Sequence, residues 1–257
     1  MLETEKMIKS KFDVKVQSLN PSQVGAEMII LNRRVLVTDD GYLYEPDGKH
    51  TQKVLKELNL KEDNSKGSGI TGAKTVAGDE DLRGRPLDDD KARWYRSMAA
   101  TLNYMAMDRP DLGYAVKELC RSMSSPSELD LQKLKKVGRY LVQVGNVFSV
   151  FRWDCNLGRV VGYSDSDLRR TSTSGGVIKF GGVIIKSWSK QQKVVALSSG
   201  EAELYSAVKL GCELMGIKSL AQDFGLSVSL DMHLDAKATI GMLSRRGAGG
   251  MKHVETN

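Results

Sequence analysis

Cysteine is scarce in this chain. The 257 residues contain three, Cys120, Cys155 and Cys212, far apart, with no Cys-x-x-Cys pair and no histidine at zinc-ligand spacing. That argues against a disulfide framework and fits a reducing compartment. Long apolar runs are missing as well: no stretch approaches the roughly 20 residues that span a bilayer. Met1 is followed at once by Glu3, Glu5, Lys6 and Lys9, which is not the pattern of a secretory signal. The expectation is an intracellular protein, in a cytoplasmic particle or the nucleus, without a membrane partner. What is present is ordinary for a folded protein: 40% hydrophobic and 27% charged residues lie within the globular range. The length allows two modest domains or one large one. The net charge of +6 suits a partner rich in phosphate, since each Lys or Arg near a phosphate releases condensed counterions. Alone, that signal is mild.

Along the chain the composition changes twice. Residues 1–63 are strand-rich with one helix. Met28–Leu31 and Val35–Val37 are short apolar runs around Asn32-Arg33-Arg34, Asp39-Asp40-Gly41 is a turn signal, and Tyr42-Leu43-Tyr44 opens another β-prone run. Thr51–Leu60 has helical spacing. Residues 64–90 shift to Gly, Ser, Asp and Lys, the composition of a flexible linker. Residues 91–145 read as helical. Trp94, Tyr95, Met98, Leu102 and Met105 form an apolar face, Arg109-Pro110 breaks the helix, and Asp111 is placed to cap the next one. Ser127, followed by Glu128 and Asp130, begins a third helix that ends near Val142 and carries the basic face Lys133, Lys135, Lys136 and Arg139.

From residue 146 strands dominate. Phe148–Trp153 and Gly158–Tyr163 are β-prone, and Gly176–Phe180 and Val183–Trp188 flank Gly181-Gly182, a two-residue hairpin signature. A long helix over about Gly200–Phe224, a short strand Met232–Leu234 and a helix Ala236–Leu243 follow. The fold class this implies is α/β, a mixed sheet with helices packed on it.

Three carboxylates fall where strand ends and a helix start could bring them together. Asp165 follows the strand ending at Tyr163-Ser164, Glu203 lies in the first turns of the long helix, and Asp235 ends the short strand. Hard divalent cations need clustered oxygen ligands, and magnesium combines a few carboxylates with water and phosphate oxygens. On position alone the structural reading is favoured, because an Asp at a strand end is more commonly a turn residue or a cap.

The surrounding strings narrow the choice. Gly162-Tyr163-Ser164-Asp165-Ser166-Asp167 resembles the GYSDAD segment of Copia-type (Ty1/Copia) LTR retrotransposon Pol polyproteins. Arg170–Gly176 is similar to its RRSTSG segment, Ile185–Gln192 to ISWKSKKQ, and Val195–Glu203 to VALSSTEAE. Upstream, Tyr95-Arg96-Ser97 and Arg109-Pro110-Asp111-Leu112-Gly113-Tyr114-Ala115-Val116 resemble the YRS and TRPDIxYAV segments, and Lys252-His253-Val254 resembles KHI. The ordered matches extend over about 160 residues of the sequence.

That resemblance implies a C-terminal reverse transcriptase fragment plus a ribonuclease H domain: a palm remnant over 1–63, a linker over 64–90, a helical thumb or connection over 91–145, and a ribonuclease H-like domain over 146–257. It implies Asp165, Glu203 and Asp235 as metal ligands and catalytic residues, with Glu255 as a fourth catalytic carboxylate. The helix expected to follow Glu255 would lie past Asn257. Asp167 is read as a loop residue and Glu201 as an exposed first-turn acid. The implied cofactor is Mg2+, with Mn2+ as a substitute. The implied chemistry is hydrolysis of the RNA strand of RNA–DNA hybrids, the 2′-hydroxyl marking the strand to be cut. Arg169, Arg170, Lys190 and Lys193 are the expected phosphate contacts, and His253 is a candidate for assisting product release. Ser166, Thr173 and Ser174 are read as turn residues. The tyrosine-led aspartate pair of a polymerase is missing: Val37-Thr38-Asp39-Asp40 lacks the tyrosine and precedes a glycine, so it reads as a turn. An upstream polymerase part of the same polyprotein is a further expected partner. The alternative function is a catalytically inactive, nucleic-acid-binding remnant of such a polyprotein; a host-adapted interaction module is weaker.

Overall fold

The computed structural model describes residues 2–61, 67–71, 79–168 and 171–244. After α1 (Leu2–Lys11), the first two apolar runs fold as a hairpin of β1 (Glu27–Ile30) and β2 (Arg33–Val37). Leu31 and Asn32 between them have φ of 51° and 64°. Two successive positive φ values are the type I′ geometry, whose twist matches that of the flanking strands. β3 (Gly41–Glu45) extends the sheet, and Asp39 and Asp40 form the turn before it, where the Thr38 hydroxyl lies 2.8 Å from the Gly41 carbonyl oxygen.

The strand read in Phe148–Trp153 departs from expectation. β4 (Ser149–Arg152) pairs antiparallel with β3 and completes a first sheet of order β1-β2-β3-β4. A strand pattern shows that a strand exists but not which strand it pairs with. Here Gly41, at φ 156°, permits the pairing, because a Cβ there would stand 2.0 Å from the Phe151 carbonyl oxygen. The first sheet therefore takes in residues beyond 146.

Four helices form the middle layer of the chain. α2 (Gly48–Glu57) is capped by the Asp47 carboxylate on the Lys49 amide, and α4 (Asp89–Met105) by Asp88 on Lys91, 2.9 Å in each case. α6 (Glu128–Val144) starts with a reciprocal box between Ser127 and Asp130. With α5 (Gly113–Arg121) they enclose a core that includes Tyr95, Met98, Leu102, Leu119, Leu134 and Leu141. Residues 62–66 and 72–78 of the expected linker lie outside the described residues. Its later part contains α3 (Asp79–Arg83), a Pro86–Ser127 bridge, and Leu87, whose apolar side chain is buried in that core.

Asp111 does not cap α5. Instead it takes a bidentate pair from Arg109, with Nη2 2.8 Å from Oδ2, and accepts the Tyr140 hydroxyl at 2.9 Å. Arg109, buried, also donates to the Gly145 carbonyl at 3.0 Å, so it ties the 3-10 turn Pro110–Leu112 to the end of α6. Burial opposes ionisation of Asp111, but Arg109 and Tyr140 outweigh it and hold the carboxyl below its ordinary value.

The second sheet comprises β5 (Arg159–Asp167), β6 (Thr173–Phe180), β7 (Val183–Gln191) and β8 (Ser229–Leu234) in the order β7-β6-β5-β8. β8 runs parallel to β5 and the other pairings are antiparallel, so the sheet is mixed and the class α/β. Gly181 and Gly182, both at positive φ, turn the β6–β7 hairpin as the sequence predicts. The long helix α7 (Ser199–Asp223) lies on this sheet, with Leu210 and Leu214 packed against Val160 and Ile178, and α8 (Lys237–Leu243) follows β8. Among the described residues no helix is long and apolar enough to cross a membrane.

Two glycines test the packing in opposite directions. A Cβ on Gly176 would stand 2.0 Å from the Trp188 ring, whereas one on Gly211, within α7, meets nothing within 4 Å. Gly176→Ala is expected to destabilise the fold by about 1–3 kcal/mol through overpacking. Gly211→Ala is expected to stabilise it by about 0.5–1 kcal/mol through backbone entropy. Urea midpoints at unchanged m-value check both.

Candidate metal centre

Parallel pairing of β5 with β8 aligns their carboxyl ends. Ser164 is the register partner of Leu234, which leaves Asp165 and Asp235 as next-in-line residues on neighbouring strands. The first turns of α7 bring Glu203 to the same place. One carboxylate oxygen from each of Asp165, Glu203 and Asp235 lies within 4.8 Å of the others. Asp165 and Asp235 are exposed and Glu203 is buried.

The α7 terminus explains why Glu203, rather than Glu201, faces this cluster. Ser198 is the N-cap, its hydroxyl accepting the Glu201 amide at 3.2 Å, and the Glu201 carboxylate reaches back to the Leu197 amide at 2.7 Å. Glu201 also accepts the Tyr205 hydroxyl, at 3.3 Å. The expectation of an exposed Glu201 is corrected: it is 9% exposed and holds the helix start. The spacing Ser198-x-x-Glu201 is a capping-box signature carried by the sequence itself.

Glu203 is oriented by Ser166, whose amide and hydroxyl donate to the same oxygen, Oε1, at 3.1 and 2.8 Å. Burial raises the Glu203 carboxyl above its ordinary value of 4.5, and the negative charges of Asp165 and Asp235 push the same way, against the two Ser166 hydrogen bonds. The sign follows from linkage. Ionising Glu203 costs the fold stability as pH rises from the ordinary value through the raised one, and a bound cation removes that cost.

Further polar groups, among them Thr173 and Ser174 that composition alone reads as turn residues, surround the cluster. The buried Ser206 hydroxyl lies 2.9 Å from the Asp165 carbonyl and 3.4 Å from that of Gly175, clamping β5 and β6 under α7. The Gln192 amide nitrogen donates to Ser174 Oγ at 2.9 Å and to the Ala202 carbonyl at 2.8 Å, tying the end of β7 to the turn that presents Glu203. Thr173 and Ser174 are buried, Thr173 accepting Lys117 Nζ from α5 at 3.1 Å. No periodicity distinguishes such hydroxyls from solvated ones. Asp167 is the last residue of β5, opposite Thr173, and not a loop residue as expected. Lys190 and Lys193 are exposed near the end of β7. Arg169, Arg170, His253 and Glu255 lie outside the described residues.

The donor set is all oxygen and clustered, which fits a small hard divalent cation. Ser166→Ala is expected to weaken the apparent affinity for that cation about 10-fold, within the range for groups that orient metal ligands. The fold should be unchanged, so a magnesium titration alongside a thermal melt separates the two effects.

No profile of a known protein family matches the chain, and neither does any solved structure. Curated relatives do. The chain is 36% identical over 140 residues, 52% of its length, to the Retrovirus-related Pol polyprotein from transposon RE1 of Arabidopsis thaliana. It is equally similar over 140 residues to the one from transposon RE2 of the same plant. To that from transposon TNT 1-94 of Nicotiana tabacum it is 27% identical over 234 residues, 85% of its length. The matches span 10%, 10% and 16% of those three polyproteins. Over between half and most of its length, then, the chain is similar to Copia-type retrovirus-related Pol polyproteins of transposons.

Proposed function

We propose that residues from β5 onward form a ribonuclease H-like domain that hydrolyses the RNA strand of RNA–DNA hybrids by two-metal-ion catalysis. The observation that carries this reading is the convergence of Asp165, Glu203 and Asp235 within 4.8 Å, inside a mixed sheet crossed by one long helix. Asp165, Glu203 and Asp235 would hold the ions. Two bound Mg2+ ions, or Mn2+ in their place, supply activation of the attacking water and stabilisation of the leaving oxygen. The chain's own contribution is positional. Ser166 fixes the buried Glu203 carboxylate, Ser206 and Gln192 lock the strands and helix that present the three groups, and the exposed Asp165 and Asp235 leave an open side for a phosphodiester. Lys190 and Lys193, with Arg169 and Arg170, are the proposed phosphate contacts, and Glu255 the proposed fourth carboxylate. The upstream polymerase part of the polyprotein is a proposed partner.

The test offers the purified chain, with magnesium, four labelled substrates: an RNA–DNA hybrid, single-stranded RNA, double-stranded RNA and double-stranded DNA. Cleavage confined to the RNA strand of the hybrid is expected. Hybrid binding without metal-dependent cleavage overturns the enzyme reading in favour of a non-catalytic remnant.

A further inference from the structure

β7 is the edge strand of the second sheet, and its alternate residues Lys186, Trp188 and Lys190 point to the side on which α7 lies. Their register partners on β6 are Ile178, which packs in the α7 core, Gly176, which lies under the Trp188 ring, and Ser174, which is bonded to Gln192. From α7, Lys209 places its Nζ 5.3 Å from the centroid of the Trp188 ring. Lys186 is neutralised by Glu213, but Lys190 and Lys209 form no ion pair among the described residues. Burial, and then the charge of Lys190, lower the proton affinity of Lys209 while Glu213 acts in the opposite direction, so Lys190 and Lys209 repel one another and a further anion between them relieves the repulsion.

These two lysines lie a short way from the metal centre. Lys190 is two strands across from Ser166, through Ser174, so their backbones are about 10 Å apart at the usual inter-strand spacing of about 4.8 Å. Lys209 is six residues beyond Glu203, about 9 Å along α7 at about 1.5 Å per residue. At about 3.4 Å of axis per nucleotide, both distances correspond to roughly three nucleotides.

We infer that Lys190 and Lys209, braced by Trp188, form a phosphate-binding track between β7 and α7 that grips the backbone of a nucleic-acid duplex about three nucleotides from the carboxylate cluster. The inference rests on the proposed nucleic-acid substrate but not on cleavage of it. The Lys209 ammonium lies over the Trp188 ring, a cation–π arrangement that holds a flexible side chain in place at the edge of the sheet.

The test is fluorescence anisotropy with a labelled RNA–DNA hybrid of about 18 base pairs, in EDTA so that nothing is cut, over a series of KCl concentrations. Each lost phosphate contact lowers the slope of log K against log salt by about 0.9. Lys190→Gln/Lys209→Gln is therefore expected to reduce the slope by about 2 and to weaken binding at 0.1 M salt by at least about 10-fold, while Lys218→Gln, at an exposed site farther along α7, changes neither. If the double variant does not fold, Lys190→Gln alone must still reduce the slope by about 1. An unchanged slope in the folded variant overturns the track even if the wild type cleaves the hybrid. A reduced slope in a chain that does not cleave keeps the track and removes the ribonuclease reading.

Discussion

Asp165→Asn is expected to lower magnesium-dependent cleavage of the hybrid by about 1,000-fold or more and to leave the fold intact. Metal ions in such sites contribute several kcal/mol to transition-state stabilisation, and every 1.4 kcal/mol is about tenfold in rate. Asparagine keeps the size of the side chain and the Oδ1 acceptor that takes the Ser166 amide at 2.9 Å, so no structural bond is lost. It also removes one of the two negative charges that raise the Glu203 carboxyl. The metal-free variant should therefore melt at the wild-type temperature or slightly above it, and magnesium should stabilise it less than it stabilises the wild type. Single-turnover rates and melts with and without magnesium read both effects. A variant that cleaves within tenfold of the wild-type rate would place the chemistry elsewhere.

Arg109→Ala is expected to produce the largest loss of stability. The guanidinium is buried and holds two structures at once, the Asp111 carboxylate and the Gly145 carbonyl. Removing one partner of a buried pair costs about 3–5 kcal/mol because the other charge is left behind. At about 2–4 °C per kcal/mol for a chain of this size, the melting temperature should fall by roughly 6–20 °C. Arg109→Leu/Asp111→Leu should recover much of that loss, because no orphaned carboxylate remains. Thermal denaturation followed by circular dichroism decides it, and a shift under about 2 °C for Arg109→Ala would show that the pair is dispensable. The Arg-Pro-Asp string that helped mark the resemblance thus has a structural reason, as an internal lock of the helical layer far in sequence from the carboxylates.

Much of this arrangement is legible in the sequence. The Gly181-Gly182 hairpin, the caps at Ser127 and the apolar face of α4 follow from local chemistry that acts within a few residues. The three carboxylates stand out through the strings around them, since position alone favours a turn residue over a ligand. What stayed hidden is non-local. The pairing of β4 with β3 depends on a backbone approach at Gly41, more than 100 residues upstream in sequence. The burial of Glu201, the grip of Ser166 on Glu203 and the Gln192 clamp arise from tertiary contacts that give polar residues no periodic mark. Lys209 carries no such mark either, because its contact is with Trp188 on the edge strand rather than within its own helix.

The most direct test of the central claim is a crystal structure of the chain grown with Mn2+, with anomalous scattering used to locate the ions. Anomalous peaks are expected about 2.0–2.2 Å from carboxylate oxygens of Asp165, Glu203 and Asp235, the range for a small divalent ion on oxygen ligands, and they should vanish in Asp165→Asn. Crystals at saturating manganese with no peak among these three groups would contradict the account.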